Sequence, residues 1–518
     1  MAPTAKNAGG NMPFIVSTGA KLDPELRKFV RSHVMQGKNR GRILRPRYQK
    51  SVELNVKESN KGTSSKDDEC ADESQAPAYP PTIPNRVGSD LSFMPLADTM
   101  DESTVSVIIE FSTIAKKALF PLESCINFGP RTKAWMEALS VDPAYLNAMA
   151  FSAKSYFDLK RGDMSSSGPA VADPHVVKTL RLLRERLELP AHGDMTQFLS
   201  GTAAVVLCLA FHAHIVGEYE AARHHMLGLR RIVDLGGGLS GLKDNVKVIV
   251  EILRCDIGMA LHSGFKPIFF ADLEQEPYWP YPDYSLYVYD STSVIFTSSV
   301  EEEIFLSILE PDVAIAWRVI KQFTVYVNHA AVTGFKLPKE ALLDSMASVM
   351  YRLLHKSSLF ARGSFDEAVR LGLLAFSSSI FLQWAGVRLP YTHFPAVYRD
   401  CLVNLDLESA DSSLASASSA RTLAPAVDES GGNPPSPWSS RLLIWLLTVG
   451  YISILDSSDG DAWLKPWLRV NLELCEMRSW PAMHHVLNSF MWAKPVHDSP
   501  GEALFNSTMS LSPCTGFC

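Results

Sequence analysis

From about Asp101 onward the apolar positions recur every three to four residues, the period of a helix with one buried face. VSVIIEFSTIAKKALF (105–120) reads as an apolar helix with polar insertions. Pro174 opens another, HVVKTLRLLRERLEL, in which Val176, Leu180, Leu183 and Leu187 fall at helical spacing. TQFLSGTAAVVLCLAFHAHIVG and EYEAARHHMLGLRRIVDLGGG follow, and in the second Ala222, Met226, Leu229 and Val233 share a face. Glu220 there stands one turn before Arg223, at ion-pair spacing. Further helices are predicted at IFLSILEPDVAIAWRVIKQFTVYV, KEALLDSMASVMYRLLHKSSLF, DEAVRLGLLAFSSSIFLQWAG and RLLIWLLTVGYISIL. A last one follows Pro481, with Met483, Val486, Leu487, Phe490 and Met491 as its stripe. Strand candidates reduce to PIFFADL and LYVYDSTSVIF. The pattern predicts an all-α fold, a large array of antiparallel helices.

Two stretches interrupt the pattern. Residues 51–100 are rich in Ser, Asp, Glu and Pro and carry too little apolar surface to order themselves, so they read as a disordered linker. Residues 408–440, ESADSSLASASSARTLAPAVDESGGNPPSPWSS, read as a disordered insertion. The expected organisation is a basic arm with a short helix at 1–50, the linker at 51–100, a helical body at 101–407, the insertion at 408–440, and closing helices at 441–512.

Composition agrees with a large globular core: 46% of the 518 residues are hydrophobic and 20% charged. The apolar runs GTAAVVLCLAF (201–211) and LLIWLLTVGYISIL (442–455) fall short of the roughly 20 residues that cross a bilayer, which predicts buried helices and no membrane partner. MAPTAKNAGG lacks the apolar core of a secretory signal. The eight cysteines are widely and irregularly spaced, which fits a reducing compartment and supports no zinc module.

Charge changes the picture at one end. Between Lys21 and Lys50 ten Lys or Arg face only Asp23 and Glu25, so the stretch carries 10 − 2 = +8, while the whole chain is −7. Its densest part holds Lys38, Arg40, Arg42, Arg45, Arg47 and Lys50, broken by Gly41 and Pro46 into an extended arm. A basic arm on an acidic body suits an import receptor or the phosphates of DNA, and a merely solvated basic run is the plain alternative. No base-reading module surrounds the arm, so DNA contact through it alone is nonspecific.

Candidate chemistry is sparse. Gly236-Gly237-Gly238-Leu239-Ser240-Gly241 matches a dinucleotide-binding pattern in letters, but it follows a helix, where glycine is the ordinary stop. Ser240 lacks the glycine two residues on that a nucleophile elbow needs, since that place is Leu242. His212 and His214, two apart on a helix, point away from each other, and His224, His225 and His262 complete no metal motif. Trp438, Trp445, Trp463, Trp467, Trp480 and Trp492 crowd the C-terminal part, as a core or interface does, with a ligand pocket as the alternative. No catalytic set, metal site or cofactor is expected.

Four ordered blocks carry a family likeness: PFIVSTGAKLDPELRKFVRSHVM (13–35), EAARHHMLGLRRIVDLGGGLSGL (220–242), DEAVRLGLLAFSSSIFLQWAGVRLPY (366–391) and SWPAMHHVLNSFMWAKPVHDSPGEALF (479–505). Together they resemble the fungal-specific transcription factor domain proteins, the regulatory region found beside fungal binuclear zinc clusters. The resemblance implies an α-helical regulatory region in the nucleus, acting on transcription of metabolic or secondary-metabolite genes. One departure stands out: no stretch has the six-cysteine spacing of the zinc cluster, and no cysteine precedes Cys70. The expected protein is therefore a non-enzymatic nuclear regulator. Its partners would be transcription machinery, a zinc-cluster factor or a second copy of the chain. The rival reading is a cytoplasmic helical scaffold or ligand sensor.

Overall fold

Each stretch with a helical hydrophobic period forms a helix in the computed structural model. The structure describes residues 95–118, 121–129, 134–162, 173–188, 195–274, 276–287, 298–384, 391–406, 438–455 and 460–510. All of them belong to the compact unit Pro81–Cys518. The basic arm, including Lys38, Arg40, Arg42, Arg45, Arg47 and Lys50, lies outside the described residues, as do residues 51–94 of the linker and 408–437 of the insertion.

The first half of the body contains α1 (Glu102–Ala118), α2 (Ala134–Val141), α3 (Pro143–Arg161), α4 (Pro174–Glu188), α5 (Met195–Ile215), α6 (Tyr219–Leu235) and α7 (Val246–Ser263). The second half contains α8 (Val300–Ile308), α9 (Pro311–Thr333), α10 (Lys339–His355), α11 (Phe365–Ser377), α12 (His393–Val403), α13 (Trp438–Ser453), α14 (Lys465–Leu474), α15 (Trp480–Phe490) and α16 (Lys494–Met509). The fold is all-α. Of the strand candidates, PIFFADL (267–273) forms turns and bends, while most of LYVYDSTSVIF (286–296) lies outside the described residues. The extended pairing among the described residues is a two-residue parallel bridge, β1 (Ile126–Asn127) against β2 (Leu337–Pro338).

Local chemistry sets the helix ends. Asp142 caps α3 by accepting from the Ala144 and Tyr145 amides, with Pro143 at the first helical position. Ser299, Ser364 and Ser479 cap α8, α11 and α15 in the same way. The single stretch predicted over 304–327 breaks into two helices because Leu309 turns extended and Glu310 caps the new start at Pro311.

One apolar core runs through both halves, from Leu122 to Phe505. Its centre is aromatic: the Trp445 ring lies 5.4 Å from Trp317, 6.2 Å from Phe376 and 6.4 Å from Phe490. The two central indole N–H groups have partners, as buried donors generally do: Trp445 donates to the Met491 carbonyl at 2.7 Å and Trp317 to Glu302 at 3.0 Å. α5 contains an apolar window, Phe198–Ile215, of mean hydropathy 1.7, and 61% of it is buried against its neighbours.

Three boundaries and one face differ from the pattern. Leu96, Ala97 and Met100 pack on Ile108, Leu139 and Leu146, so the polar stretch 51–100 ends before residue 95, where its apolar minority finds a groove. α13 starts at Trp438, inside 408–440, because Ser439 is already buried. A further helix, α16, follows α15 and tolerates Pro500 in its interior. On α4 the buried side chains are Val176, Thr179 and Leu183, whereas Leu180 and Leu187 are exposed.

Candidate functional site

The structure disposes of most sequence candidates as core. After α6 the amides of Gly236, Gly237 and Gly238 donate to carbonyls of the last turn, and Gly237 and Gly238 adopt φ of 88° and 78°. These glycines end a helix, as their position predicts. His212 is buried, and its Nδ1 lies 2.7 Å from Ser155 Oγ, whose own proton goes to the Phe151 carbonyl. His212 therefore donates to the serine and holds no serine proton. His497, also buried, accepts from the Ala493 amide at Nδ1 and donates from Nε2 to Ser379 Oγ at 2.8 Å. Burial lowers its pKa to about 3. Trp445 and Trp492 are fully buried, so those two indoles build core. Among the described residues no group of three or more His, Cys, Asp or Glu is placed to hold a metal ion.

What the helical pattern did bring together is a small cleft where α5 ends, α6 begins and α7 runs into its following loop. Val216, Gly217 and Glu218 reverse the chain between α5 and α6, and the Glu218 amide closes the turn on the Ala213 carbonyl at 2.8 Å. That reversal sets Tyr219 beside His214, with ring centroids 5.5 Å apart. α7 adds His262, 5.0 Å from His214 and 4.1 Å from Tyr219. The lining continues through Glu220, Arg223, Met259, Phe265 and Lys266, around a solvent-open volume of about 40 Å³. That is room for a few waters or one small headgroup, well below a drug-sized pocket.

The outer wall is held by unusual backbone. Gly264 ends α7 at φ 74°, and a Cβ there would sit 2.6 Å from the His393 ring, so glycine is required twice over. Beyond it Asp256 accepts from the Ile268 and Phe269 amides at 2.8 and 3.0 Å and from the Tyr351 hydroxyl at 2.9 Å. Burial raises the Asp256 pKa to about 6, with those three hydrogen bonds opposing the shift. Glu276 takes the Phe270 amide at 2.7 Å, and Arg230 reaches Glu276 at 2.5 Å. Phe270 sits at φ 56°, a left-handed conformation that costs a non-glycine residue about 1 kcal/mol and that these contacts sustain.

The cleft has binding chemistry. His214 is 5% exposed, and burial next to His262 lowers its pKa to about 4, so its ring is neutral at pH 7. Its ring nitrogens make no hydrogen bond among the described residues and reach the cleft instead of being sealed in the core. Arg223 forms no ion pair with Glu220; its guanidinium lies 5.6 Å from the Phe265 ring centroid instead. The cleft lacks a nucleophile beside a base, because both Asp256 oxygens are occupied by donors. No protein-family model, curated protein or solved structure matches the chain.

Sequence reasoning reached His214 and His262 only as separate residues. Their meeting depends on α5 and α7 packing side by side. Arg223 entered only as an ion-pair partner for Glu220 and as part of block 220–242, and Tyr219, Phe265 and Lys266 stand in no motif.

Proposed function

We propose that this chain is a nuclear regulator of transcription, with an α-helical regulatory body and a basic N-terminal arm, and not an enzyme. The observation that carries the reading is the ordered set of four blocks resembling fungal-specific transcription factor domains. The +8 stretch from Lys21 to Lys50 supports it. Three of the blocks contribute architecture of one kind. Block 220–242 supplies α6 and its glycine turn, block 366–391 supplies α11 with its buried Glu367–Arg370 pair, and block 479–505 supplies α15 and much of α16. Lys38, Arg40, Arg42, Arg45, Arg47 and Lys50 are assigned to nuclear import or phosphate contact. Protein partners, either transcription machinery or a zinc-cluster factor, then supply sequence specificity, and a homodimer is one form the regulator takes.

The test is genome-wide chromatin occupancy of the tagged protein beside an arm variant carrying Arg40→Ala, Arg42→Ala, Arg45→Ala and Arg47→Ala. Discrete promoter peaks that the arm variant loses are expected. No peaks in cells that express the protein overturn the reading. A second reading, a helical ligand sensor without a transcription role, is favoured by the cleft at His214. A fluorescent fusion that stays outside the nucleus would select it.

A further inference from the structure

The cleft at the α5–α6–α7 junction combines three features that packing alone does not call for. At its base His214 is buried and presents ring nitrogens without a hydrogen-bond partner among the described residues. Those nitrogens are not sealed from solvent; they reach the open cleft, where water or a ligand meets them. At its rim Arg223 and Lys266 line the same cleft, and neither forms an ion pair among the described residues. Beside them two aromatic rings stand open, Phe265 at 60% exposure and Tyr219 at 41%.

We propose that this cleft binds a small planar organic carboxylate, with its charged end on Arg223, Lys266 and His214 and its ring against Phe265 and Tyr219. Size and charge select that class. The cleft is small, about 40 Å³, and open to solvent, which suits a carboxylate inside it with the body of the ligand on the exposed rings. Glu220 and Asp256 line the same cleft as Arg223 and Lys266, so its formal charges balance. Three donors already meet the Asp256 oxygens, while Arg223 and Lys266 have no carboxylate partner among the described residues and are left for a monoanion, and Glu220 opposes a dianion. The Arg223 guanidinium matches a carboxylate in shape, offering paired donors in one plane. Neutral His214 has one nitrogen able to donate to the carboxylate. The rings of Phe265 and Tyr219 give a flat apolar partner an area to cover. The site stands whether the chain acts in the nucleus or as a sensor elsewhere.

Ligand-observed NMR titration of the full chain tests it, with benzoate as the probe, benzamide as its uncharged counterpart and inorganic phosphate as the competing anion. Saturable benzoate binding is expected, with benzamide and phosphate much weaker. Arg223→Gln and Lys266→Gln should each weaken benzoate about tenfold or more, the loss of a charge-assisted hydrogen bond. Phe265→Ala should weaken it less. Lys266 is exposed, so Lys266→Gln leaves the fold intact and an unchanged unfolding midpoint confirms it. Absence of benzoate binding at millimolar concentration, equal binding of benzamide, tighter binding of phosphate, or unchanged affinity in both charge variants overturns the proposal. None of these results alters chromatin occupancy, so failure here is distinct from failure of the transcription reading.

Discussion

Asp256, His214 and His497 are three titratable groups enclosed by the body, and burial moves each toward its neutral form. The Asp256 pKa rises from 3.8 to about 6. A raised carboxylate contributes stability that is full below its unfolded value and is lost as pH rises through about 6. His214 falls from 6.5 to about 4 and His497 to about 3. A depressed histidine contributes stability present above 6.5 and lost as pH falls toward the folded value. Between pH 7 and 5 the two histidines therefore oppose the one acid, and acidification should destabilise the protein. Asp256→Asn should make that loss steeper, because the opposing group is gone. Denaturant midpoints at pH 7 and pH 5 check both statements. Arg370 sits 3% exposed, donating to Glu367 at 2.6 and 2.7 Å and to the Leu353 carbonyl at 2.8 Å. Arg370→Leu should cost about 3–5 kcal/mol in equilibrium unfolding, since it leaves Glu367 buried with no cation.

Elements show how far a hydrophobic period reaches. On α6 the four residues with helical spacing, Ala222, Met226, Leu229 and Val233, are the four that are buried. Met226→Ala should cost about 2–5 kcal/mol, while Leu227→Ala, at a 42% exposed position, should stay within about 0.5 kcal/mol. On α4 the same rule picked Leu180 and Leu187, yet both are exposed and Thr179 is buried in their place. Leu183→Ala should therefore destabilise by about 2 kcal/mol or more, and Leu187→Ala should leave the unfolding midpoint nearly unchanged. Period alone failed there because α4 alternates leucines with arginines on two sides, and α3 and α5 decide which side faces inward. The break at Leu309 and the extra helix α16 escaped for a related reason. Pro311 and Pro500 both interrupt a pattern on paper, but the first begins a helix and the second lies within one.

At the scale of the whole molecule the described body and the basic arm make separate demands. If Lys38, Arg40, Arg42, Arg45, Arg47 and Lys50 each meet one phosphate, DNA affinity should fall with a log–log salt slope near −5, roughly a thousandfold between 50 and 200 mM salt. Filter binding of the full chain across that range measures it, and the arm variant with four arginines replaced should lose about four units of slope. The body, by contrast, is joined by one core from Leu122 to Phe505, so α13–α16 complete the packing begun by the helices from α3 to α12 and do not fold as a separate module.

By itself the sequence determined the all-α class, most helices, and the glycine stop after α6. These follow from local periods and caps, which a single chain segment carries whatever surrounds it. The cleft was beyond it. Its lining comes from three elements between His214 and Ile268, and no spacing within one helix records that His214, Tyr219 and His262 will meet. Only tertiary packing decided that, together with which face of α4 is buried. It also decided that Asp256 would spend its oxygens holding the Ile268–Phe269 backbone instead of facing a ligand. Side-chain proximity across helices depends on how their ridges pack, and that is a property of the pair of surfaces and of neither sequence alone.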